Sequence, residues 1–322
     1  MIYLISSERG FSLKSNSQNE KNGSETTNTV GNRKSVTVLG LGPMGQAMAG
    51  VFLEYGYSVT VWNRTSSKAD QLVAKGAIRV STVNEALAAN ELVILSLTDY
   101  NVMYSILEPA SENLFGKVLV NLSSDTPEKV RKAAKWLEDR GARHITGGVQ
   151  VPPSGIGKSE SYTYYSGERV VFEAHKETLE VLTSTDYRGE DPGLAMLYYQ
   201  IQMDIFWTAM LSYLHALAIA NANGITAEQF LPYASAMMSS LPKFVEFYTP
   251  RLDESEHPGD VDRLAMGLAS VEHVVHTTQE AGIDIALPAT VLEVFRRGMK
   301  TGHASDSFTS LIEIFKKSDI RS

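Results

Sequence analysis

The chain has 322 residues, a length typical of two domains, and a hydrophobic share of 43% that supplies ample material for a core. Its 29 Lys and Arg against 37 Asp and Glu give a net charge of −8. This balance argues against a nucleic-acid binder, because such proteins carry a clustered basic surface. The sequence has no cysteine, which excludes disulfide scaffolds, thiolate metal sites and cysteine nucleophiles.

The N-terminal segment, residues 1–34, differs in composition from everything that follows. It is rich in Ser, Asn, Glu, Lys and Thr and has little apolar surface to bury, so the sequence predicts a flexible tail. Its apolar opening, Met1–Ile5, is shorter than the core of a signal peptide, and no basic region precedes it. We therefore expect a cytoplasmic protein.

Apolar strand-like runs alternate with helical patterns over residues 35–190. This alternation predicts βαβ units around a parallel sheet, and therefore an α/β domain. The expected strands are Ser35–Leu39, Tyr57–Trp62, Glu91–Ser96 and Lys117–Asn121. The expected helices cover residues 83–89, 100–110 and 127–140, and a strand-rich stretch over residues 143–187 completes the domain.

A long helix is predicted over residues 191–222, and it is followed by a helical region over residues 223–322. Asp191 is a residue type that caps the free amides of a helix start, and Asn223–Gly224 is a stop signal. The segment Thr226–Gln229 has the pattern of a capping box, which indicates that a further helix begins there.

The long helix is apolar around most of its circumference. Leu194, Leu211 and Leu217 point in different directions around its axis, and a helix of this kind must be buried on most faces. The helical region that follows is too small to bury it completely, so we expect a homodimer. Gln200 and Asp204 interrupt the apolar run, which argues against a membrane span.

A glycine-rich fingerprint of the form GxGxxG follows the first predicted strand and begins a helix. In this context glycines permit a tight turn, a close approach of the backbone to a pyrophosphate, and close packing of helix on sheet. The phosphates would lie at the positive N-terminus of the helix. The segment predicts a Rossmann domain, and its residues are Gly40, Leu41, Gly42, Pro43, Met44 and Gly45.

The end of the second predicted strand determines which dinucleotide is preferred. NAD-binding proteins carry an acidic residue there, which binds the ribose hydroxyls. This chain has Asn63, Arg64 and Thr65 instead, with Lys68 shortly after. Arg64 can form paired hydrogen bonds to a phosphate, and Lys68 adds positive charge. The sequence therefore predicts NADPH as the cofactor.

The segments Val38–Gly45 and Val61–Thr65 together resemble the β-hydroxyacid dehydrogenase superfamily and, within it, the imine reductases. The loops Asn121–Pro127 and Val151–Gly157 resemble those that the family places around the nicotinamide, and Asp191–Tyr198 fits as well. The resemblance implies a Rossmann domain joined by a long interdomain helix to an all-helical domain in an intertwined dimer. It also implies further cofactor-binding residues, namely Leu97, Thr98, Asn121 and Ser123.

The same resemblance implies NADPH-dependent reduction of a C=N bond, usually in a cyclic imine. Related dehydrogenases carry a catalytic lysine at position 199 and many imine reductases carry aspartate, whereas this chain has Tyr199, which resembles a subset of the family. A phenol stays protonated at neutral pH, so Tyr199 can donate a proton to the imine nitrogen or orient the substrate.

The neighbours of Tyr199 on the helix suggest a pocket for a small hydrophobic imine. Met203 and Phe206 follow at i+4 and i+7, Trp207 is expected in the pocket wall or the dimer core, and His273 is a contributor expected from the partner chain. Asp204 is expected on a different face, in a surface or interface role. His273 is i,i+3 from a second histidine, but no carboxylate motif accompanies the pair, so no metal site is expected.

Two alternatives remain open at this stage. One is a related dehydrogenase that acts on a C=O bond, although the missing lysine at position 199 removes the cation that would stabilise a developing alkoxide. The other is an NADPH-binding protein without catalytic activity, for which an intact cofactor motif and a lost lysine would be typical.

Overall fold

The structure is a computed structural model that describes residues 34–316. All but the last residue of the predicted flexible tail therefore lies outside the described residues. The described part has a mixed α/β region at its N-terminal side, followed by helices alone from Leu194 onwards. This arrangement matches the predicted Rossmann domain with a helical C-terminal region.

The sheet has eight strands in the order β3-β2-β1-β4-β5-β6-β7-β8. Neighbours are parallel except β6 and β7, which are antiparallel. The strands are β1 (Ser35–Leu39), β2 (Ser58–Trp62), β3 (Ile78–Arg79), β4 (Leu92–Leu95), β5 (Val118–Asn121), β6 (Arg143–Val149), β7 (Tyr162–Gly167) and β8 (Ser184–Gly189). The first six strands have the order of a dinucleotide-binding domain, in which the direction of winding reverses between β1 and β4.

Helices cover both faces of this sheet, and the sheet separates two apolar cores. Val36, Val38 and Phe52 belong to the core on one face, and Leu39 and Leu95 belong to the core on the other. The helices of this region are α1 (Pro43–Glu54), α2 (Asp70–Ala74), α3 (Val83–Ala89), α4 (Tyr100–Leu107), α5 (Pro127–Glu138) and α6 (Arg169–Leu179). The stretch predicted as strand-rich, 143–187, therefore contains the helix α6 as well as strands.

The C-terminal side consists of helices among the described residues. They are α7 (Leu194–Ala222), α8 (Ala227–Asp253), α9 (Leu264–Glu280), α10 (Ala286–Lys300) and α11 (Ile312–Lys316). The predicted capping box is confirmed at the start of α8: the Thr226 side chain accepts from the backbone N–H of Gln229, whose side chain accepts from the N–H of Thr226.

The start of α7 is held against the α/β region by an ion pair. The Arg131 guanidinium donates from Nε and Nη2 to the two carboxylate oxygens of Asp191, at 2.9 and 2.8 Å. This pairing holds the pKa of the Asp191 carboxyl below its ordinary value. Asp191 Oδ1 also accepts from the backbone N–H of Gly193 at 2.9 Å, just before the helix begins at Leu194.

Most of α7 is exposed in the single chain. Ile205 is 66% exposed and Trp207 61%, and the buried residues of the helix are Ala195, Met196 and Ala220. By length and composition alone, α7 is the one helix of the described residues that could cross a membrane. A large apolar surface of this kind needs cover from outside the protomer.

Candidate active site

A cavity of about 370 Å³ lies at the carboxyl ends of β1 and β4, where the winding of the sheet reverses. Open α/β sheets bind their ligands at this topological position. We call it the glycine-loop cavity. Its lining residues are Gly40, Gly42, Pro43, Met44, Trp62, Asn63, Arg64, Thr65, Lys68, Ser96, Leu97, Thr98, Val102 and Ile106.

The glycines of the fingerprint have different structural roles. Gly40 has a φ of +95°, which favours glycine, and a Cβ there would collide with the carbonyl oxygen of Ser96. A Cβ on Gly45 would collide with the carbonyl oxygen of Gly40, so this glycine lets α1 approach the strand. A Cβ on Gly42 would meet no atom within 4 Å, and Gly42 lines the cavity. The backbone at Gly42 is therefore open to a pyrophosphate, which fits a dinucleotide.

Asn63 connects the glycine loop to the loop that follows β2. Its Oδ1 accepts from the backbone N–H of Leu41 at 2.9 Å, and its Nδ2 donates to the carbonyl oxygen of Thr65 at 2.9 Å. Both ends of the side chain are thus bonded to backbone, which fixes Arg64 between them. Arg64 and Lys68 are exposed at this end of the cavity, and none of its described lining residues is acidic. This environment fits a ribose phosphate.

Asn121 and Ser123 support the cavity from behind. Both are buried, and the Asn121 Oδ1 accepts from the backbone N–H of Ser123 at 3.0 Å. The Ser123 hydroxyl accepts from the backbone N–H of Leu97 at 2.9 Å, which fixes the loop after β4 to the loop after β5. These two residues therefore shape the wall of the cavity rather than line it.

Tyr199 lies one turn into α7, beside the end of β6. A Cβ on Gly148 would lie 2.9 Å from the Tyr199 Cβ and 3.0 Å from the carbonyl oxygen of Ala195, so only a glycine lets α7 pack this close to the sheet. The Tyr199 side chain is half-buried. Two cavities meet at it, one toward the glycine loop and one along α7.

The first of these, the junction cavity, has about 170 Å³ and is lined by Met44, Ser96, Leu97, Leu122, Ser124, Gly147, Gly148, Val149, Met196 and Tyr199. The second, the outer cavity, has about 420 Å³ and is lined by Ser124, Tyr199, Gln200, Met203, Asp204, Trp207, Thr208 and Leu211. The two cavities share Ser124 and Tyr199, while the junction and glycine-loop cavities share Met44, Ser96 and Leu97. A continuous cleft therefore runs from Arg64 to Trp207.

Known proteins resemble the chain along nearly all of its described length. The C-terminal domain of NADPH-dependent reductive aminase-like proteins matches residues 191–317, and the NAD-binding domain of 6-phosphogluconate dehydrogenase matches residues 35–189. An NADPH-dependent reductive aminase of Aspergillus oryzae is 31% identical over 287 residues, which are 88% of this chain and 97% of that protein.

Solved structures agree with this result. An imine reductase from Bacillus cereus BAG3X2 is 97% identical with a TM-score of 0.82, over 89% of this chain and 100% of that one. A reductive aminase from Aspergillus terreus, in complex with NADPH and ethyl-5-oxohexanoate, is 30% identical with a TM-score of 0.85. The match covers 88% of this chain and 99% of that one. The chain belongs to the imine reductase and reductive aminase family. It is an NADPH-dependent oxidoreductase that acts on C=N bonds.

Family membership confirms the resemblance on which the sequence prediction rests, and it decides against the two alternatives, a C=O dehydrogenase and a protein without catalytic activity. NADP(H) is the cofactor. In the imine reductase cleft, ten residues predicted to bind the cofactor line the glycine-loop cavity, whereas Leu41, Gly45, Asn121 and Ser123 do not.

The structure brings only some of the predicted substrate-pocket residues together with Tyr199. Met203 and Trp207 line the outer cavity of the imine reductase with Tyr199. Phe206 is exposed and contacts Trp207 edge to face, with ring centroids 5.2 Å apart. His273 is exposed on α9. Neither Phe206 nor His273 lines the outer or the junction cavity within one protomer.

Asp204 is exposed, as expected for a residue in a surface or interface role on a different face of the helix from Tyr199. It also lines the outer cavity with Tyr199, because this cavity is a wide groove along the exposed side of α7. No group of three or more potential metal ligands occurs among residues 34–316.

Sequence reasoning gave no individual role to Ser124, Gly148 or Gln200, although Ser124 lies in the loop Asn121–Pro127 that the family resemblance placed around the nicotinamide. Ser124 and Gln200 are 76 residues apart in the chain and meet through the fold, so no local pattern connects them. Gly148 lies in a pair of glycines within β6, and glycine in the interior of a strand is a signal of close backbone approach that was available but not used.

Proposed function

We propose that this enzyme reduces small hydrophobic cyclic imines to amines, with Tyr199 as the proton donor or the residue that orients the substrate. We further infer that the working form is a homodimer, in which the partner's helical region completes the cleft and contributes His273. Cytoplasmic location stays a prediction from the sequence.

The observation that carries the proposal is the position of Tyr199, which lines both the junction cavity and the outer cavity. A phenol at this point adjoins both the junction cavity, which leads to the glycine-loop cavity, and the outer cavity, in which the substrate would lie. Reduction of a C=N bond needs a hydride on carbon and a proton on nitrogen, so a proton source between the two spaces is what the reaction requires.

NADPH supplies the hydride when it is bound. In the glycine-loop cavity the backbone around Gly42 would hold its pyrophosphate and Arg64 its ribose phosphate. Tyr199 would donate its phenolic proton to the imine nitrogen and recover a proton from water. A substrate that arrives as an iminium already carries this proton, and Tyr199 would then hold the nitrogen in place.

The walls of the outer cavity suit an imine better than a hydroxy acid. Met203, Trp207 and Leu211 supply apolar surface, and none of the described lining residues is a lysine or arginine that could pair with a carboxylate substrate. The cavity contains the carboxylate of Asp204 instead. A negative charge there favours a cationic iminium and disfavours an acid.

The exposed apolar surface of α7 supports the proposed homodimer. Ile205, Leu211 and Leu214 are each more than half exposed in the single chain, as are Leu231 and Met237 on α8. A second copy offers the same two apolar helices, so the faces can cover each other with two-fold symmetry. The outer cavity opens along this surface, and the partner would therefore form its missing wall.

The test is the consumption of NADPH with 1-pyrroline as substrate, for the wild type, Tyr199→Phe and Tyr198→Phe. Tyr198 is a matched control because it is the adjacent phenol, contacts Tyr164 with ring centroids 5.5 Å apart, and lines none of the three cavities. Loss of a proton donor typically lowers kcat by about 100-fold or more. We expect this loss in Tyr199→Phe alone.

Other outcomes would change the proposal. A large rise of KM at unchanged kcat in Tyr199→Phe would leave substrate orientation as its role. Unchanged turnover in Tyr199→Phe would remove Tyr199 from the mechanism, and a wild type that reduces no cyclic imine would refute the proposed substrate class.

A further inference from the structure

The loop between β5 and α5 lies where the junction cavity meets the outer cavity, and its residues are bonded one by one to the surrounding structure. Ser123 is fixed to the loop after β4, as described above. The Asp125 carboxylate accepts from the backbone N–H of Tyr100 at 3.3 Å and pairs with Lys129 at 3.1 Å. Thr126 caps α5. Both ends of the loop are therefore held within the α/β region.

Ser124, in the middle of this loop, is held from the other side of the cleft. The side-chain amide of Gln200 on α7 donates to the Ser124 hydroxyl at 3.2 Å and to the carbonyl oxygen of Asp125 at 3.0 Å. Gln200 and Ser124 are both half-buried. In the described part of the chain, Ser124 has no other side-chain hydrogen bond.

This double contact joins the two elements whose spacing defines the reaction space. Gln200 follows Tyr199 directly on α7, and Ser124 lines the junction and outer cavities together with Tyr199. A change in the distance between loop and helix would move the wall against which the imine lies, relative to the phenol. Misplacement of a bound substrate by about 1 Å can cost 100-fold in rate, even when no reacting group is touched.

We propose that Gln200 is a positioning residue of this enzyme. Through its two hydrogen bonds it fixes the Ser124–Asp125 loop to the helix that carries Tyr199, and thereby sets the face and position of the imine in the cleft. The inference rests on the proposed function of that cleft. Gln200 makes no contact with reacting atoms in this mechanism and acts through Ser124.

The experiment uses the full chain with 2-methyl-1-pyrroline, whose reduction creates a stereocentre, and compares wild type with Gln200→Leu and Gln200→Glu. Leucine removes both hydrogen bonds. Glutamate keeps the shape but cannot donate: the Ser124 hydroxyl can turn and donate to its carboxylate, whereas the contact with the Asp125 carbonyl oxygen becomes repulsive. We expect both variants to lower kcat/KM for the imine by about 10-fold or more and to change the enantiomeric ratio of the product.

The dissociation constant of NADPH is the second readout. We expect it to stay within about 2-fold of the wild type, because the residues that would hold the phosphates lie in the glycine-loop cavity and Gln200 does not line it. A general loss of structure would weaken NADPH binding and leave the enantiomeric ratio of the remaining activity unchanged. The two readouts together therefore separate positioning from mere stability.

Gln202→Leu is the matched control. Gln202 is also a half-buried glutamine of α7, but its amide donates to the Tyr164 hydroxyl at 2.6 Å, away from the cleft. We expect kcat/KM and the enantiomeric ratio of this variant to match the wild type. Equal losses in Gln202→Leu and Gln200→Leu would overturn the proposal, since the effect would then belong to the helix as a whole.

A double variant tests whether Gln200 acts through Ser124. Ser124→Ala alone should lower kcat/KM, and adding it to Gln200→Leu should cause no further loss, because the contact is already absent. Losses that multiply would refute the coupling. Folded Gln200→Leu and Gln200→Glu with wild-type kcat/KM and enantiomeric ratio would refute the positioning role itself.

Failure of this inference can be told apart from failure of the proposed function. If the wild type reduces no cyclic imine, the proposed substrate class is wrong and the positioning of a cyclic imine is overturned with it. If the wild type is active, Tyr199→Phe is harmless and the Gln200 variants still lose activity and selectivity, then the role of Tyr199 is wrong and the positioning role stands.

Discussion

Arg64 is the residue on which we expect the choice of cofactor to depend most. Its guanidinium is exposed at the end of the glycine-loop cavity, where the lining residues among 34–316 include no carboxylate, and both ends of the Asn63 side chain are bonded to backbone. We expect Arg64→Ala to raise KM for NADPH by about 10- to 100-fold and KM for NADH by less than about 3-fold, because NADH lacks the phosphate. Steady-state kinetics with both coenzymes measure this difference.

Arg79→Ala provides the control for Arg64. Arg79 is also a partly exposed arginine of this region, but it pairs with Asp70 and does not line the cavity. We expect KM for NADPH to be unchanged in this variant. An equal rise of KM for both coenzymes in Arg64→Ala would contradict recognition of the phosphate.

His144 makes the stability of the enzyme depend on pH. Burial lowers its pKa from 6.5 to about 4, so it stays neutral in the folded protein while the histidine of the unfolded chain takes up a proton below pH 6.5. Its contribution to stability is therefore full above pH 6.5 and is lost as the pH falls toward 4. At pH 5 the loss amounts to about 2 kcal/mol of the free energy of unfolding.

Urea unfolding of wild type and His144→Leu at pH 7 and pH 5, at one protein concentration, measures this contribution. Carboxylates and other histidines affect both proteins alike, so their effects cancel in the comparison. The wild type should lose about 2 kcal/mol more than the variant between the two pH values. An identical pH dependence of the two proteins would show that His144 titrates normally.

At the scale of elements, the packing of α7 on the end of β6 depends on Gly148. Alanine there would force its Cβ to within about 3 Å of Tyr199 and the Ala195 carbonyl, so α7 must move away from the sheet. We expect Gly148→Ala to cost about 1–3 kcal/mol in stability and to lower kcat, because Tyr199 moves with the helix. Thermal unfolding and imine turnover check the two effects.

Gly50→Ala is the comparison for Gly148. Gly50 is a buried glycine of α1, and a Cβ there would meet no atom outside its own helix within 4 Å. Alanine is favoured over glycine in a helix, so this variant should be as stable as the wild type or more so. Wild-type kcat and melting temperature in Gly148→Ala would mean that α7 does not need the close approach.

The elements themselves could be predicted largely from local pattern. The buried strand β4 is a continuous apolar run, β1 and β5 are short runs rich in Val and Leu, and the capping box at Thr226 is a signal four residues long. The short strand β3 escaped prediction because it has two residues, both exposed. The helix α6 escaped because it lies between strands in a stretch whose Val and Tyr content favours strands.

The residues of the candidate site also fall into those that local sequence pattern predicts and those that only the fold brings together. The glycine loop and Arg64 were predictable because the chain places them within about one βαβ unit of each other. The cleft around Tyr199 was predictable only through the family resemblance. Contacts between distant parts of the chain, such as Gln200 with Ser124, depend on how α7 lies on the sheet, and no periodicity of the sequence encodes that angle.

At the scale of the whole molecule, activity should depend on dimerisation. Ile205 is 66% exposed on α7, and a charge there would be buried without a partner in the proposed interface. We expect Ile205→Glu to be monomeric in size-exclusion chromatography with light scattering and to reduce 1-pyrroline far more slowly than the wild type.

Val170→Glu is the control for this variant. Val170 is 63% exposed on α6, on the α/β region and away from α7, so the same substitution should leave both size and activity unchanged. A monomeric, active wild type would refute the homodimer. Full activity of a monomeric Ile205→Glu would mean that one protomer contains the complete site.

Because α7 is long, a small change of its direction at one end causes a large displacement at the other. With 29 residues it extends about 43 Å, so a tilt of about 5° at its start would shift its far end by about 4 Å. Its start is fixed by Arg131 to Asp191, by the close approach at Gly148 and by Gln200, all near the sheet. Small displacements at these contacts are therefore amplified into large ones in the helical region, and in the proposed homodimer substitutions there would reshape the substrate cleft of the other subunit.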